Sequence, residues 1–118
     1  MNSDTMTMER PKGTNQGAAD LVRFQDVHKT FDGKVNAVQD LNLEVREGEF
    51  LTFLGPSGSG KTTTLLLLAG FEEPTAGDIL VGGRSITQTP PHKRNFGMVF
   101  QNYALFPHMS VAENVAFP

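Results

Sequence analysis

The sequence predicts an α/β fold organised around one strand, one loop and one helix, and three adjacent stretches carry that expectation. Residues 50–54, Phe-Leu-Thr-Phe-Leu, form a short and nearly continuous apolar run of the kind found in strands buried on both faces. Residues 55–63 read Gly-Pro-Ser-Gly-Ser-Gly-Lys-Thr-Thr. Their first eight positions match the phosphate-cradling pattern G-x-x-x-x-G-K-[ST], and Thr63 adds a second hydroxyl. Residues 64–69 are leucine-rich, so the motif stands between a strand and a helix, the context in which it binds phosphates.

The chemistry follows from the residue types. Gly55, Gly58 and Gly60 lack Cβ atoms, so the backbone they share with Pro56, Ser57 and Ser59 can wrap closely and turn its N–H groups inward as an anion nest. The helix begins near Gly60 or Lys61 and aims unpaired N–H groups and a positive dipole end at the same phosphates. Lys61 supplies a compact charge for β- and γ-phosphates, and the Thr62 hydroxyl suits the coordination shell of a magnesium ion. The bland alternative is a Gly/Ser turn with an exposed lysine.

With 118 residues the chain has room for one small domain. A formal net charge of -3 argues against a nucleic-acid or anionic-membrane binder. There are no cysteines, which excludes a disulfide scaffold and a Cys-based zinc site. His28, His92 and His108 fit no metal-ligand spacing and read as solvated surface residues. No apolar run approaches the roughly 20 residues that cross a bilayer, so no direct membrane insertion is expected.

Residues 1–20 are rich in Ser, Thr, Gly, Asn and Met and are expected to be a disordered tail, leaving residues 21–118 as the folded part. Val22, Phe24 and Val27 mark a half-buried strand, Asp32-Gly33 a tight turn, and Leu41, Leu43 and Val45 a strand with one wet face; together they predict an antiparallel sheet. The helix over residues 61–69 should end at Gly70, and its nearly all-round apolar surface predicts that it is sandwiched. Residues 78–86 form a hairpin pattern around Gly82-Gly83, and Pro90-Pro91 excludes helix and opens a polar surface stretch. Arg84, Lys93 and Arg94 are expected on a wet charged face. Residues 96–100, Phe-Gly-Met-Val-Phe, predict a second apolar strand. An irregular loop over 102–109 and a helix capped by Ser110, with Glu113 completing a capping box, follow.

Several separated stretches then combine. Leu-Asn-Leu-Glu-Val at 41–45, Gly-Glu-Phe at 48–50, the loop at 55–63, Leu-Ala-Gly-Phe-Glu-Glu-Pro-Thr-Ala-Gly at 68–77 and Gly-Met-Val-Phe-Gln-Asn-Tyr-Ala-Leu-Phe-Pro-His at 97–108 resemble the N-terminal half of an ABC transporter ATPase subunit. The resemblance covers nearly all of residues 21–118. Within it, residues 90–97 and 102–110 are most similar to the ATPases of bacterial spermidine/putrescine (polyamine) importers, with sugar and ferric-iron importers close behind. The resemblance implies a P-loop NTPase fold of the ABC ATPase type, an antiparallel β subdomain plus the first part of a RecA-like core. It also implies ATP and Mg2+ as ligands, with residues 55–63 as the Walker A motif.

Gln101 then takes the Q-loop position, touching the metal ion or the attacking water, although a polar residue at a strand end is the simpler alternative. Phe31 takes the aromatic position that stacks on adenine, where the family more often has Tyr; a core or hairpin role is the alternative. Tyr103, Leu105, Phe106 and Pro107 fall in the surface that receives a transmembrane permease subunit, or else fold back as core. The implied partners are permease subunits and a second ATPase subunit in a head-to-tail dimer, and the implied location is cytoplasmic, peripheral on the inner face of the cell membrane.

The Leu-Ser-Gly-Gly signature, the Walker B carboxylates and the switch histidine of the family do not occur in residues 102–118. Phosphoryl transfer depends on such metal-holding and water-orienting groups, so this chain alone is expected to bind nucleotide without hydrolysing it at a useful rate. The rival reading is a non-catalytic P-loop nucleotide-binding or interaction protein. A small kinase or GTPase is a third, but no Asn-Lys-x-Asp guanine-selecting motif is present.

Overall fold

The computed structural model describes residues 6–9, 20–101 and 105–117. In chain order the elements are β1 (Thr7–Glu9), β2 (Asp20–Thr30), β3 (Asn36–Arg46), β4 (Thr52–Leu54), α1 (Lys61–Ala69), β5 (Ala76–Val81), β6 (Arg84–Ser85), a 3-10 turn (Pro91–Lys93) and α2 (Val111–Ala116).

The β-branched and aromatic alternation of residues 22–45 produces the expected antiparallel pair, and β5 and β6 extend it to a four-stranded sheet in the order β3-β2-β5-β6. Phe24 stands opposite Leu43 on β3 and Ile79 on β5. Strict alternation would turn Val27 to the other face from Phe24. A bulge between them, with Asp26 at φ 48, restores the inward direction, and Val27 pairs with Leu41. One face of the sheet therefore supplies Val22, Phe24, Val27, Val38, Leu41, Leu43 and Ile79 to the core, and α1 supplies Leu67.

Several expectations are corrected. Residues 7–9, assigned to a disordered tail, form β1, and Met8 packs against the core from it. The run at 50–54 is not buried on both faces: Phe50 is 68% exposed, and β4 pairs antiparallel with β1 (Met8 opposite Phe53) instead of lying among parallel strands. Residues 96–100 form no strand, and Val99 is 94% exposed. The two corrections share a cause, since each run is a strand only when a hydrogen-bonding neighbour lies alongside, and neither pairs with the other. Finally, α1 is not sandwiched. It buries only Thr64 and Leu67, while Leu65 faces outward.

The remaining elements follow their local signals. The expectation that Pro90-Pro91 excludes helix is corrected by the 3-10 turn that Pro91 starts, since proline is tolerated at the first position of a helix, where the N–H it lacks has no intrahelical partner. At α2 the Ser110 hydroxyl accepts from the Glu113 N–H at 3.1 Å and the Glu113 carboxylate accepts from the Ser110 N–H at 2.9 Å, the reciprocal capping box. That pairing holds the Glu113 carboxyl below its ordinary pKa.

Candidate functional site

The chain leaves β4 at Leu54 and enters the loop directly, so the sheet fixes one end of residues 55–60 and α1 the other. Gly60 is the N-cap of α1, at φ 96, and no side chain caps it. A Cβ at Gly60 would lie 2.7 Å from the Ala37 carbonyl, so the loop is pressed against β3 at a point only glycine permits. The first intrahelical bond is Thr64 N–H to Gly60 O at 2.9 Å; the N–H groups ahead of it project from the helix end into the loop.

Lys61 folds into the loop. Its ammonium donates to the carbonyls of Gly55 and, at 2.9 Å, Pro56, and to the Ser59 hydroxyl at 3.4 Å. The loop thus gathers a cation and the helix N–H groups around one point. The Thr64 hydroxyl is turned back onto Gly60 O at 2.7 Å and buried, which braces the first turn, whereas Thr62 is exposed. Among the described residues no group of three or more His, Asp or Glu side chains could hold a metal ion. A magnesium ion held here would take one hydroxyl from the exposed Thr62 and its remaining ligands from water and the oxygens of a bound phosphate.

Phe31 is 63% exposed, which removes its core alternative. It stands at the turn between β2 and β3; Thr30 pairs with Asn36, and Ala37 next to it touches Gly60, so this turn and the loop share one end of the molecule. The Lys29 ammonium lies 5.0 Å from the Phe31 ring centroid, covering one face of the ring. Asp32 shapes the turn. Its carboxylate accepts from the N–H groups of Lys34 (2.9 Å) and Val35 (3.0 Å), and these bonds, Val35 first, lower its pKa.

Gln101 is not brought to the loop. Phe100 beside it packs edge-on to Phe71 at 5.7 Å, just past the C-terminal end of α1, while the loop lies at the N-terminal end. Tyr103 lies outside the described residues, and Leu105 and Phe106 are exposed, the Phe106 ring packing at a tilt against Phe117 with centroids 4.6 Å apart. His28 pairs with Asp40 at 3.0 Å, so it is engaged in the sheet and not simply solvated.

Arg94, expected on a wet face, is buried. Its guanidinium reaches Leu67 O and Leu68 O at 3.0 and 3.1 Å, and its desolvation lowers its pKa, though a guanidinium stays charged. Nothing in local sequence separates Arg94 from its neighbour Lys93; its place is prepared by Gly70, far from it in sequence, where the absence of a Cβ leaves room for the guanidinium.

A family model described as ABC transporter matches residues 38–117. The chain belongs to the ABC transporter family. Among ABC transporter proteins it is 55% identical over 112 residues to the spermidine/putrescine import ATP-binding protein PotA of Rubrobacter xylanophilus, covering 94% of this chain and 29% of that relative. It is 59% identical over 99 residues to the PotA protein of Acidothermus cellulolyticus, covering 81% and 26%. It is 54% identical over 96 residues to the Fe(3+) ions import ATP-binding protein FbpC of Agrobacterium fabrum, covering 81% and 27%. The chain therefore spans under a third of the length of these relatives. Its fold is that of ABC ATPase cassettes: a dimeric bacterial ABC transporter cassette matches with a TM-score of 0.65 at 29% identity, over 80% of this chain and 44% of that one. A dimeric cassette in a post-hydrolysis state bound to ADP and Pi matches with a TM-score of 0.64 at 30% identity over the same shares.

Proposed function

We propose that this chain carries the ATP-binding loop of an ABC importer ATPase subunit, with polyamines as the transported class. The observation that supports it most is the uncapped N-terminus of α1, with the Lys61 ammonium folded into the loop ahead of it. An N-terminus of this kind receives polyphosphate: the residues 55–60 backbone wraps it, Lys61 neutralises the β- and γ-oxygens, and the Thr62 hydroxyl joins the Mg2+ that accompanies ATP. That ion, when bound, neutralises phosphate charge. The exposed face of Phe31 offers a stacking surface for adenine on the same side of the molecule. Gln101 keeps the metal- or water-contacting role only as what the resemblance implies, since Phe100 beside it packs on Phe71 at the other end of α1.

For the 118 residues themselves the proposed activity is nucleotide binding; coupling of hydrolysis to uptake belongs to a head-to-tail pair of subunits docked, through a surface including Leu105, Phe106 and Pro107, on permease subunits at the cytoplasmic face of the membrane. The polyamine class is favoured over ferric iron by the names of the relatives at 55% and 59% identity against 54%. Titration of the purified protein with a fluorescent ATP analogue and Mg2+ tests the binding. Saturable binding that ATP displaces and Lys61→Ala weakens is expected; binding indifferent to Lys61→Ala overturns it. Deleting the gene and measuring spermidine and ferric-iron uptake separates the two solutes.

A further inference from the structure

The last four carbonyls of any helix lack partners within it. In α1, Leu66 O accepts from the N–H groups of Gly70 (3.0 Å), Phe71 (3.0 Å) and Glu72 (3.3 Å). The next two, Leu67 O and Leu68 O, both accept from Arg94 Nη1, at 3.0 and 3.1 Å. The rest of the same guanidinium is spent on the chain between β6 and the 3-10 turn: Nε donates to Thr89 O at 2.8 Å and Nη2 to Thr87 O at 3.4 Å. One side chain thus ties the end of the phosphate-loop helix to residues 87–89.

The approach is built into the backbone. Arg94 passes over Gly70, where a Cβ would lie 2.7 Å from Nε and 2.9 Å from Cζ, and Gly70 itself sits at φ 93. The planar fork matters as much as the charge, because four carbonyls in two segments are met by three nitrogens held in one plane, which a lysine cannot reproduce.

The mechanical consequence comes from the length of α1. Leu67 is fully buried and acts as a pivot, with Lys61 about 9 Å to one side at 1.5 Å per residue. A tilt of roughly 10° about Leu67 moves the N-terminal end by about 1.5 Å, on the scale at which misplaced groups lose their effect.

We propose that Arg94 is a positioning residue for nucleotide binding: by clamping the C-terminal end of α1 it sets the aim of the N-terminal N–H groups and Lys61 at the phosphates. It also joins that aim to residues 95–99, which follow Arg94 directly and line the cleft along Leu65, Leu68 and Ala69. This inference rests on the nucleotide-binding reading above.

The test combines amide hydrogen exchange with ATP-analogue affinity on Arg94→Met, Arg94→Lys and Gly70→Ala, at a temperature where circular dichroism shows each folded. Arg94→Met should speed exchange of the amides of residues 64–70 while leaving those of β2 and β3 unchanged, and should weaken the ATP analogue about three- to tenfold. Gly70→Ala, which displaces the guanidinium without altering it, should give the same pattern. Arg94→Lys, with the charge but not the fork, should recover only part of the loss. The proposal is overturned if exchange in α1 does not change, if β2 and β3 change equally, or if Arg94→Lys recovers everything. A wild-type protein that binds no ATP analogue removes the nucleotide reading instead, and the exchange pattern alone then decides whether Arg94 sets the helix.

Discussion

At the N-terminal end of α1 the cap is a glycine with no side chain, the first-turn N–H groups point into an exposed loop, and the nearest cation is folded in among backbone carbonyls. At the C-terminal end Gly70 closes the helix in the left-handed region, three backbone N–H groups converge on Leu66 O, and a buried arginine takes the next two carbonyls. The same nine residues thus have one end sealed and one end open. A helix that had only to be stable would be capped at both ends, since a side-chain N-cap contributes about 0.5–2 kcal/mol. Under the proposed nucleotide reading, the open end awaits a ligand that supplies what the protein withholds, and the sealed end holds that opening still.

The largest change expected is one that breaks both ends together. Leu67→Ala removes the fully buried anchor between them and should cost about 2–5 kcal/mol in denaturant unfolding, with nucleotide affinity and the Arg94 clamp lost in step. Lys61→Ala should divide the ends instead. Each charge-assisted bond is worth about 1.5–3 kcal/mol, so ATP affinity should fall roughly 10- to 100-fold by titration while the melting temperature stays close to that of the wild type. Gly60→Ala should lower both, by more than the about 1–2 kcal/mol that the left-handed conformation costs a side chain, because the Cβ would also meet the Ala37 backbone carbonyl at 2.7 Å.

The open end was legible in the sequence and the sealed end was only half so. The helix bounds at Lys61 and Gly70 follow from local rules, and the positions of Gly60, Lys61 and Thr62 at its start follow with them. Arg94 was misread because its partners, Leu67, Leu68, Thr87 and Thr89, are backbone carbonyls, which leave no trace in residue identity. The apolar runs at 50–54 and 96–100 show a related limit. Hydrophobicity states a preference for burial, but strand formation depends on a neighbour, and β4 takes β1 from a segment whose composition resembled a tail. The bulge that turns Val27 inward was equally invisible, since it depends on Asp26 adopting φ 48.

A smaller effect concerns the turn that presents Phe31. The folded Asp32 carboxyl has its pKa depressed by the Val35 and Lys34 N–H groups, so its contribution to stability is present above the unfolded value of about 3.9 and is lost as pH falls through the lower folded value. Asp32→Asn should therefore remove an acid-sensitive transition of the turn, followed by the Phe31 ring signals as the pH is lowered from neutral to below the unfolded carboxyl value, without altering either end of α1.

The most direct test of the central claim is to follow the backbone amide resonances at both ends of α1 while ATP and Mg2+ are added. The open-end account predicts saturable shifts at residues 57–63, abolished by Lys61→Ala, with Gly70, Phe71 and Glu72 left near their starting positions. Shifts centred on Gly70 to Glu72, or none at residues 57–63 at saturating ATP, would contradict it.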